Sequence, residues 1–166
     1  MPGKLALRWY FGLIVFSLLG MAASAAFKLD AGPIPPIASA LIILFGWLTI
    51  LGPMSDELER RVAIRAMLVV LVLGAASEIA GIYTGYPFGR YAYTQAWQPT
   101  VTLPGGHAFP LLLPVAWGMI AGACTLLYCR FLTPTISIFL AALTATIYDM
   151  PMELVLSAEG GYWRWL

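Results

Sequence analysis

Long apolar segments follow one another along nearly the whole chain, and they constrain its fold more than any other feature. Five of them are long enough, or nearly so, to cross a bilayer, which takes about 20 apolar residues in a helix. Hydrophobic residues make up 61% of the 166 residues and charged residues only 10%. A water-soluble domain of this size could not bury so much apolar surface. The sequence therefore predicts an all-α fold, a polytopic transmembrane helical bundle of about five spans in a single domain, 1–166.

Short polar or proline-containing segments separate the predicted spans, with one longer interruption. The first span follows basic residues and ends in small ones, as a signal peptide does, but it is long for a signal core and is expected to be retained. Gly52 and Pro53 are expected to close the second span. The predicted spans cover about 9–27, 36–52, 62–83, 108–129 and 134–150, and a long loop covers 84–107.

The basic residues indicate how the bundle is oriented. Because cytoplasmic loops of membrane proteins carry an excess of Lys and Arg, we expect a protein of a bacterial inner (cytoplasmic) membrane with a cytoplasmic N-terminus. The net charge of +1 gives no electrostatic support for a nucleic-acid partner. In this orientation the inner side holds Lys4, Arg8, Arg60, Arg61, Arg65 and Arg130, and the outer side holds Lys28, Arg90 and Arg164.

Three carboxylates near the ends of spans are the candidate functional groups. Glu78 lies near the end of the third span, and Asp149 and Glu153 lie four residues apart near the end of the fifth. The third and fifth spans run in the same direction, so the three acids and the long loop share one side of the membrane. An ionisable side chain inside a span is costly and by default marks function. The alternative, that Asp149 and Glu153 are ordinary interfacial acids, stays open because Pro151 between them can kink or end the helix.

Glycines and aromatic residues surround the first of these acids. Gly74, Glu78, Gly81 and Gly85 recur at spacings of four, three and four, which places them on one stripe of a regular helix. Such a stripe suits either helix packing or the approach of a flat ligand. Tyr and Trp also form anchoring belts at membrane interfaces, which would explain about half of the loop aromatics. Two cysteines and one histidine indicate neither a disulfide framework nor a metal site.

The motif Glu78-x-x-Gly81-x-x-Thr84-Gly85-x-Pro87-Phe88-Gly89-x-Tyr91-x-Tyr93 resembles the carotenoid-biosynthesis integral membrane proteins of the CruF type, the carotenoid hydratases. Pro-Val-Ala-Trp at 114–117 is similar to that family's following helix. Asp149-x-x-Met152-Glu153 and the ending Trp163-x-Trp165 resemble its next acidic motif. Members of the family usually continue through further helices after this ending, so we expect a fragment, a short relative or a subunit that has lost part of the fold.

The resemblance implies hydration of an acyclic carotenoid end group at its terminal double bond, a hydro-lyase type of reaction without cofactor or metal. Adding water to a trisubstituted alkene begins with protonation to a tertiary carbocation, which needs a carboxylic acid and then a base. Neighbouring aromatic faces stabilise such a cation. With the resemblance, Glu78 is assigned as the acid, Asp149 or Glu153 as the second catalytic carboxylate. The expected substrate-binding residues are Gly81, Gly85, Phe88, Tyr91, Tyr93 and Trp117.

An alternative function is a non-catalytic carotenoid-binding or scaffold subunit of a larger membrane assembly, such as a photosynthetic complex, with partner membrane subunits. The absence of further helices favours this alternative. The carboxylates favour the enzyme, since pigment packing alone needs no acid. On either hypothesis the expected partners are a carotenoid or another polyisoprenoid lipid, together with membrane lipids. A transporter has little support, because the five spans show no obvious inverted repeat.

Overall fold

The computed structural model describes residues 2–87, 89–159 and 161–166. Within them the chain folds into five α-helices and two small antiparallel sheets. The helices are α1 (Pro2–Phe27), α2 (Ile34–Glu57), α3 (Arg60–Thr84), α4 (Leu113–Tyr128) and α5 (Pro134–Leu154). The strands are β1 (Tyr91–Tyr93), β2 (Thr100–Leu103), β3 (His107–Pro110) and β4 (Trp163–Trp165).

Four of the described helices, α1, α2, α3 and α5, are long and apolar enough to cross a membrane. The prediction of an all-α transmembrane bundle is therefore confirmed. The fourth helix, α4, is apolar but has only 16 residues. At a rise of about 1.5 Å per residue it is about 24 Å long, somewhat less than the roughly 30 Å of hydrocarbon in a bilayer.

The short helix α4 is the centre of the bundle, because α2, α3 and α5 all pack against it, while α1 packs along α2. Two glycines of α4 allow this crowding. A Cβ atom added at Gly118 would lie 3.0 Å from Nε1 of Trp47, and one added at Gly122 would lie 2.6 Å from Cγ2 of Ile50. Small residues at such positions let membrane helices approach closely. Because α3 and α5 both pack against α4, their acids lie on two neighbours of the same helix.

Two predicted helix ends were wrong. The second helix does not stop at Gly52–Pro53 but continues to Glu57. Its last turn is held by Met54, which is 4% exposed and packs against α3. The fifth helix likewise passes through Pro151 to Leu154, and a five-residue π-helical turn follows it. At Pro53 the packing of Met54 outweighs the backbone hydrogen bond that a proline removes.

The predicted fourth span was also too long at its start, and the predicted loop 84–107 is not irregular throughout. Residues His107–Pro110 form β3, which pairs with β2 (Phe109 opposite Val101), so α4 begins only at Leu113. Strand β1 of the same loop pairs with β4 near the C-terminus, with Tyr91 opposite Trp165 and Tyr93 opposite Trp163. This second pairing brings the last residues of the chain over the ends of α3 and α5.

Candidate active site

The side chain of Glu78 accepts three hydrogen bonds from aromatic residues. The hydroxyl groups of Tyr91 and Tyr93 both donate to its Oε2 at 2.8 Å, and the indole N–H of Trp117 donates to its Oε1 at 3.2 Å. A carboxylate accepts at both oxygens and donates nothing when it is ionised. Strand β1 and helix α4 thus hold this acid of α3 in a single orientation.

The absence of a side chain at Gly81 makes room for one of these donors. A Cβ atom placed there would lie 2.5 Å from the hydroxyl oxygen of Tyr91. Tyr91 is only 7% exposed and is fixed between α3 and β4, so its ring could not move aside without disturbing the strand. Gly74, one turn before Glu78, faces the side chain of Trp117, 3.6 Å from where its Cβ would be. The glycine stripe therefore lets α4 and β1 reach the carboxylate.

The hydroxyl groups of Tyr91 and Tyr93 stay protonated beside Glu78. Burial raises the pKa of Tyr93, and the adjacent negative charge of Glu78 and the hydrogen bond to it raise that pKa further. The pKa of Tyr91 is raised by the same causes in the same order. Both hydroxyl groups therefore remain donors to Glu78 over the whole physiological pH range.

All three predicted carboxylates line one cavity, which we call the acidic cavity. It has a volume of about 220 Å³ and lies between α3, α4 and α5 beneath the β1–β4 sheet. Glu153 accepts a hydrogen bond from Nε1 of Trp163 at 3.3 Å, whereas Asp149 has no hydrogen-bond partner among the described residues. None of the described residues that line the cavity is basic. Its carboxyl, aromatic and apolar lining includes Glu78, Asp149, Glu153, Tyr91, Tyr93, Trp97, Trp117, Trp163, Trp165, Ile120 and Met152.

The β1–β4 pairing stacks four aromatic rings over the acidic cavity. Tyr91 meets Trp165 edge to face with ring centroids 5.7 Å apart, and Tyr93 meets Trp163 at 6.0 Å. The two tyrosine rings are themselves 5.6 Å apart and nearly perpendicular. Aromatic faces carry negative potential and attract a cation placed over them. The cavity thus combines carboxyl groups with surfaces that stabilise a developing carbocation.

Seven of the nine residues expected from the sequence line this cavity or shape it. Glu78, Asp149, Glu153, Tyr91, Tyr93 and Trp117 line it, and Gly81 admits Tyr91. Gly85 does not reach the cavity. It ends α3 in a left-handed conformation with φ +73°, and its N–H donates to the carbonyl of Gly81 at 2.8 Å. Phe88 lies outside the described residues.

Sequence reasoning did not include Trp97, Trp163 and Trp165 in the site. The two C-terminal tryptophans were named as the ending of the family's acidic motif, but Trp163 is 8% exposed and its indole N–H donates to Glu153. A signal was present, since Tyr91-x-Tyr93 and Trp163-x-Trp165 both alternate with the period of a strand. Two such three-residue patterns can face each other as antiparallel partners.

The described residues contain no group of three His, Cys, Asp or Glu side chains suited to hold a metal ion. Two of the three carboxyl groups, those of Glu78 and Glu153, already accept hydrogen bonds from aromatic donors. What the arrangement offers chemically is a set of fixed acids and bases beside aromatic surfaces, at the edge of an apolar bundle.

Comparison with known proteins gives one match. A family model described as "Carotenoid biosynthesis protein" matches residues 38–166. Neither the comparison with curated proteins nor that with solved structures found a match. The matched region covers well over half of the chain and contains every residue that lines the acidic cavity. This chain is therefore a member of the carotenoid biosynthesis protein family, as an integral membrane protein of the CruF-like type.

Proposed function

We propose that this protein adds water to the terminal double bond of an acyclic carotenoid end group. The observation that carries the proposal is the convergence of Glu78, Asp149 and Glu153 on one aromatic-lined cavity, with Glu78 held by three donors. Pigment packing needs no carboxyl group, and three half-buried carboxyl groups in an apolar bundle are costly, which by default marks a functional site.

The proton donor in this proposal is Asp149 rather than Glu78, which reverses the roles assigned from the sequence. Glu78 accepts three hydrogen bonds and so suits the ionised, acceptor form. Asp149 has no hydrogen-bond partner among the described residues and lies one helical turn from Glu153 on α5. Two carboxylates four residues apart on a helix repel each other, which favours a proton shared between them.

The reaction then needs two proton transfers and no electron transfer. Asp149 gives its proton to the less substituted alkene carbon, and the π electrons form the new C–H bond, leaving a tertiary carbocation. The rings of Tyr91, Tyr93 and Trp117 surround this charge. A water oxygen bonds to the cation, and the resulting oxonium group loses a proton to Glu78. Proton exchange between the carboxyl groups restores the starting state, and the net change is the addition of one water.

The size of the acidic cavity limits what enters it. At about 220 Å³ it is smaller than the roughly 300–1,000 Å³ of a typical small-molecule site. It therefore suits the end of a long isoprenoid chain and excludes the whole molecule. A terminal double bond is the part of an acyclic carotenoid that such a cavity would reach.

Expression in cells that make an acyclic carotenoid such as lycopene tests the proposal. Wild-type protein is expected to yield a pigment heavier by one water, detected by mass spectrometry. Asp149→Asn and Glu78→Gln are each expected to lower that yield about 10²- to 10⁴-fold, the usual range for a general acid or base. Glu59→Gln is the matched control, because Glu59 is exposed and lies at the start of α3, whereas Glu78 lies near the other end of that helix.

Unmodified pigment in cells that contain folded wild-type protein would overturn the hydratase. If that unmodified pigment copurified with the protein, the alternative of a carotenoid-binding or scaffold subunit would replace it. A variant of Asp149 that kept full activity would overturn the assignment of the proton donor alone.

We also propose that the N-terminus is cytoplasmic in a bacterial inner membrane. The turns after α2 and after α4 lie on one side, because Nε of Arg130 donates to Oε1 of Glu57 at 2.9 Å. That side also carries Arg60, Arg61 and Arg65, and basic residues concentrate on the cytoplasmic side. Reporter fusions after Arg130 and in the 84–107 loop are expected to show cytoplasmic and external locations respectively. The reverse pattern would refute this orientation.

A further inference from the structure

We infer that a second cavity, which shares a lining residue with the acidic one, holds the long apolar chain of the substrate. The inference deepens the proposed function and rests on it for the nature of the end group. The proposed occupant of this second cavity is a linear polyisoprenoid whose terminus reaches the carboxylates. We call this second cavity the apolar groove; it is bordered by Val70, Ala121, Thr125, Ile138, Ala142 and Ala145.

The apolar groove lies next to the acidic cavity. It has a volume of about 490 Å³ and is lined by α3, α4, α5 and the end of α2, on the side of the acidic cavity away from the β1–β4 sheet. Ala145 of α5 lines both cavities. The acidic cavity begins at Leu113 of α4, and the groove extends to Cys129, a distance of about 24 Å at 1.5 Å per residue. The two cavities together therefore span the length of α4.

The lining of the groove offers a ligand no free hydroxyl donor. Its two hydroxyl-bearing residues are already satisfied by main-chain carbonyls. Oγ1 of Thr125 donates to the carbonyl of Ala121 at 2.8 Å, and Oγ of Ser137 donates to that of Leu132 at 3.3 Å. A ligand with polar groups would lose its hydration there without replacement. The groove therefore fits a hydrocarbon chain.

The shape of the groove and the acids next to it favour a polyisoprenoid over other apolar occupants. A helix of a second copy, about 10–12 Å across with its side chains, is too wide for a groove of 490 Å³. A phospholipid acyl chain would place a saturated methyl end among Glu78, Asp149 and the aromatic rings, where it would gain nothing. A conjugated chain is straight and rigid, so it loses little conformational freedom on entry, and its terminal alkene meets the acids.

The test fills the groove from two sides and measures the pigment that copurifies with the protein. Ala142→Phe on α5 and Val70→Phe on α3 each place a ring in the groove. Their matched controls are the neighbouring Leu143→Phe and Val69→Phe, because these side chains are 46% and 55% exposed and border neither cavity. From cells making an acyclic carotenoid, we expect both groove variants to retain about tenfold less pigment per protein, as overpacking predicts, and both controls to retain wild-type amounts.

A second measurement on the wild type removes the dependence on folding of the variants. Cys129 lines the far end of the groove, whereas Cys124 is buried elsewhere. An apolar maleimide is expected to modify Cys129 more slowly in pigment-loaded protein than in protein from cells without carotenoid. Equal labelling rates would overturn the inference.

The two proposals fail in different ways. If the protein retains unhydrated pigment and the groove variants lose it, the groove stands and the hydratase falls. If wild-type protein hydrates the pigment and the groove variants do so equally well, the groove falls and the hydratase stands. Copurified phospholipid, or a change of oligomeric state in the groove variants, would replace the polyisoprenoid by an acyl chain or by a second copy.

Discussion

Helices α1 and α3 are similar as sequences but different in what surrounds them. Both are long and apolar enough to span a membrane. Helix α1 packs along α2, and large side chains such as Trp9 and Phe11 are more than half exposed. Helix α3 packs against α2, α4 and β1 and carries Glu78 among three donors. The family match begins at residue 38 and so includes α3 but not α1.

The difference shows that hydropathy identifies a span without indicating its role. What separates α3 from α1 is one carboxylate and the glycines that let other elements reach it. We therefore expect the same kind of substitution to have a large effect near α3 and none on α1. Each of the first three predictions pairs a site residue with a residue of the same type on α1, and all three compare the yield of hydrated carotenoid.

The largest effect is expected when both hydroxyl donors to Oε2 of Glu78 are removed. Tyr91→Phe combined with Tyr93→Phe keeps the rings and deletes two hydrogen bonds of 2.8 Å. Because hydrogen bonds to charged groups contribute about 1.5–3 kcal/mol each, the yield should fall at least about 100-fold. Tyr10→Phe on α1 should leave it unchanged. An active double variant would show that Glu78 does not need these donors.

Gly81→Ala should have the next largest effect, about tenfold. Its new Cβ would lie 2.5 Å from the hydroxyl oxygen of Tyr91, so the hydrogen bond to Glu78 would be displaced. Gly12→Ala on α1 is the control, since a Cβ there meets nothing within 4 Å. Adding Tyr91→Phe to Gly81→Ala should cost much less than Tyr91→Phe alone, because both changes remove one interaction. Fully additive losses would contradict this coupling.

Trp163→Phe should lower the yield only a few-fold. The substitution removes the 3.3 Å hydrogen bond to Glu153, and a hydrogen bond of this kind contributes about 0.5–1.5 kcal/mol. The phenyl ring still stacks on Tyr93, which keeps the β1–β4 sheet in place. Trp9→Phe on α1, whose ring is exposed and stacks on Phe45, should have no effect. Equal losses in both variants would indicate a general effect of tryptophan removal.

The smallest effect concerns stability at alkaline pH. The pKa values of Tyr91 and Tyr93 are raised in the folded protein above their ordinary value of 10.0. The stabilisation from holding these protons is complete below pH 10.0 and is lost as the pH rises from there toward the folded values. Above pH 10, the unfolding temperature of the wild type should therefore approach that of the Tyr91→Phe/Tyr93→Phe variant. A constant difference would show that the tyrosines do not titrate differently in the two states.

The gathering of Glu78, Asp149 and Glu153 was predictable because it depends only on the number and direction of the helices. The hydrogen-bond partners of these acids were less predictable from the sequence. Tyr91 and Tyr93 were expected near Glu78 from their motif, but their hydrogen bonds depend on strand β1, which is three residues long. Trp163 was left out of the site because its pairing with Tyr93 joins segments 70 residues apart. Each segment shows a strand-like pattern, but that pattern does not specify which strand it pairs with.

The sequence by itself determined a membrane-spanning helical bundle, because its continuous apolar segments have the length of spanning helices, which satisfy their own backbone hydrogen bonds in lipid. It also determined the side of the bundle on which the acids meet, since direction alternates from span to span. Only the tertiary structure decided that α2 and α5 continue through Pro53 and Pro151 and that α4 is shortened by β3. It also decided that the C-terminus returns to cover Glu78, because these features depend on packing between distant segments.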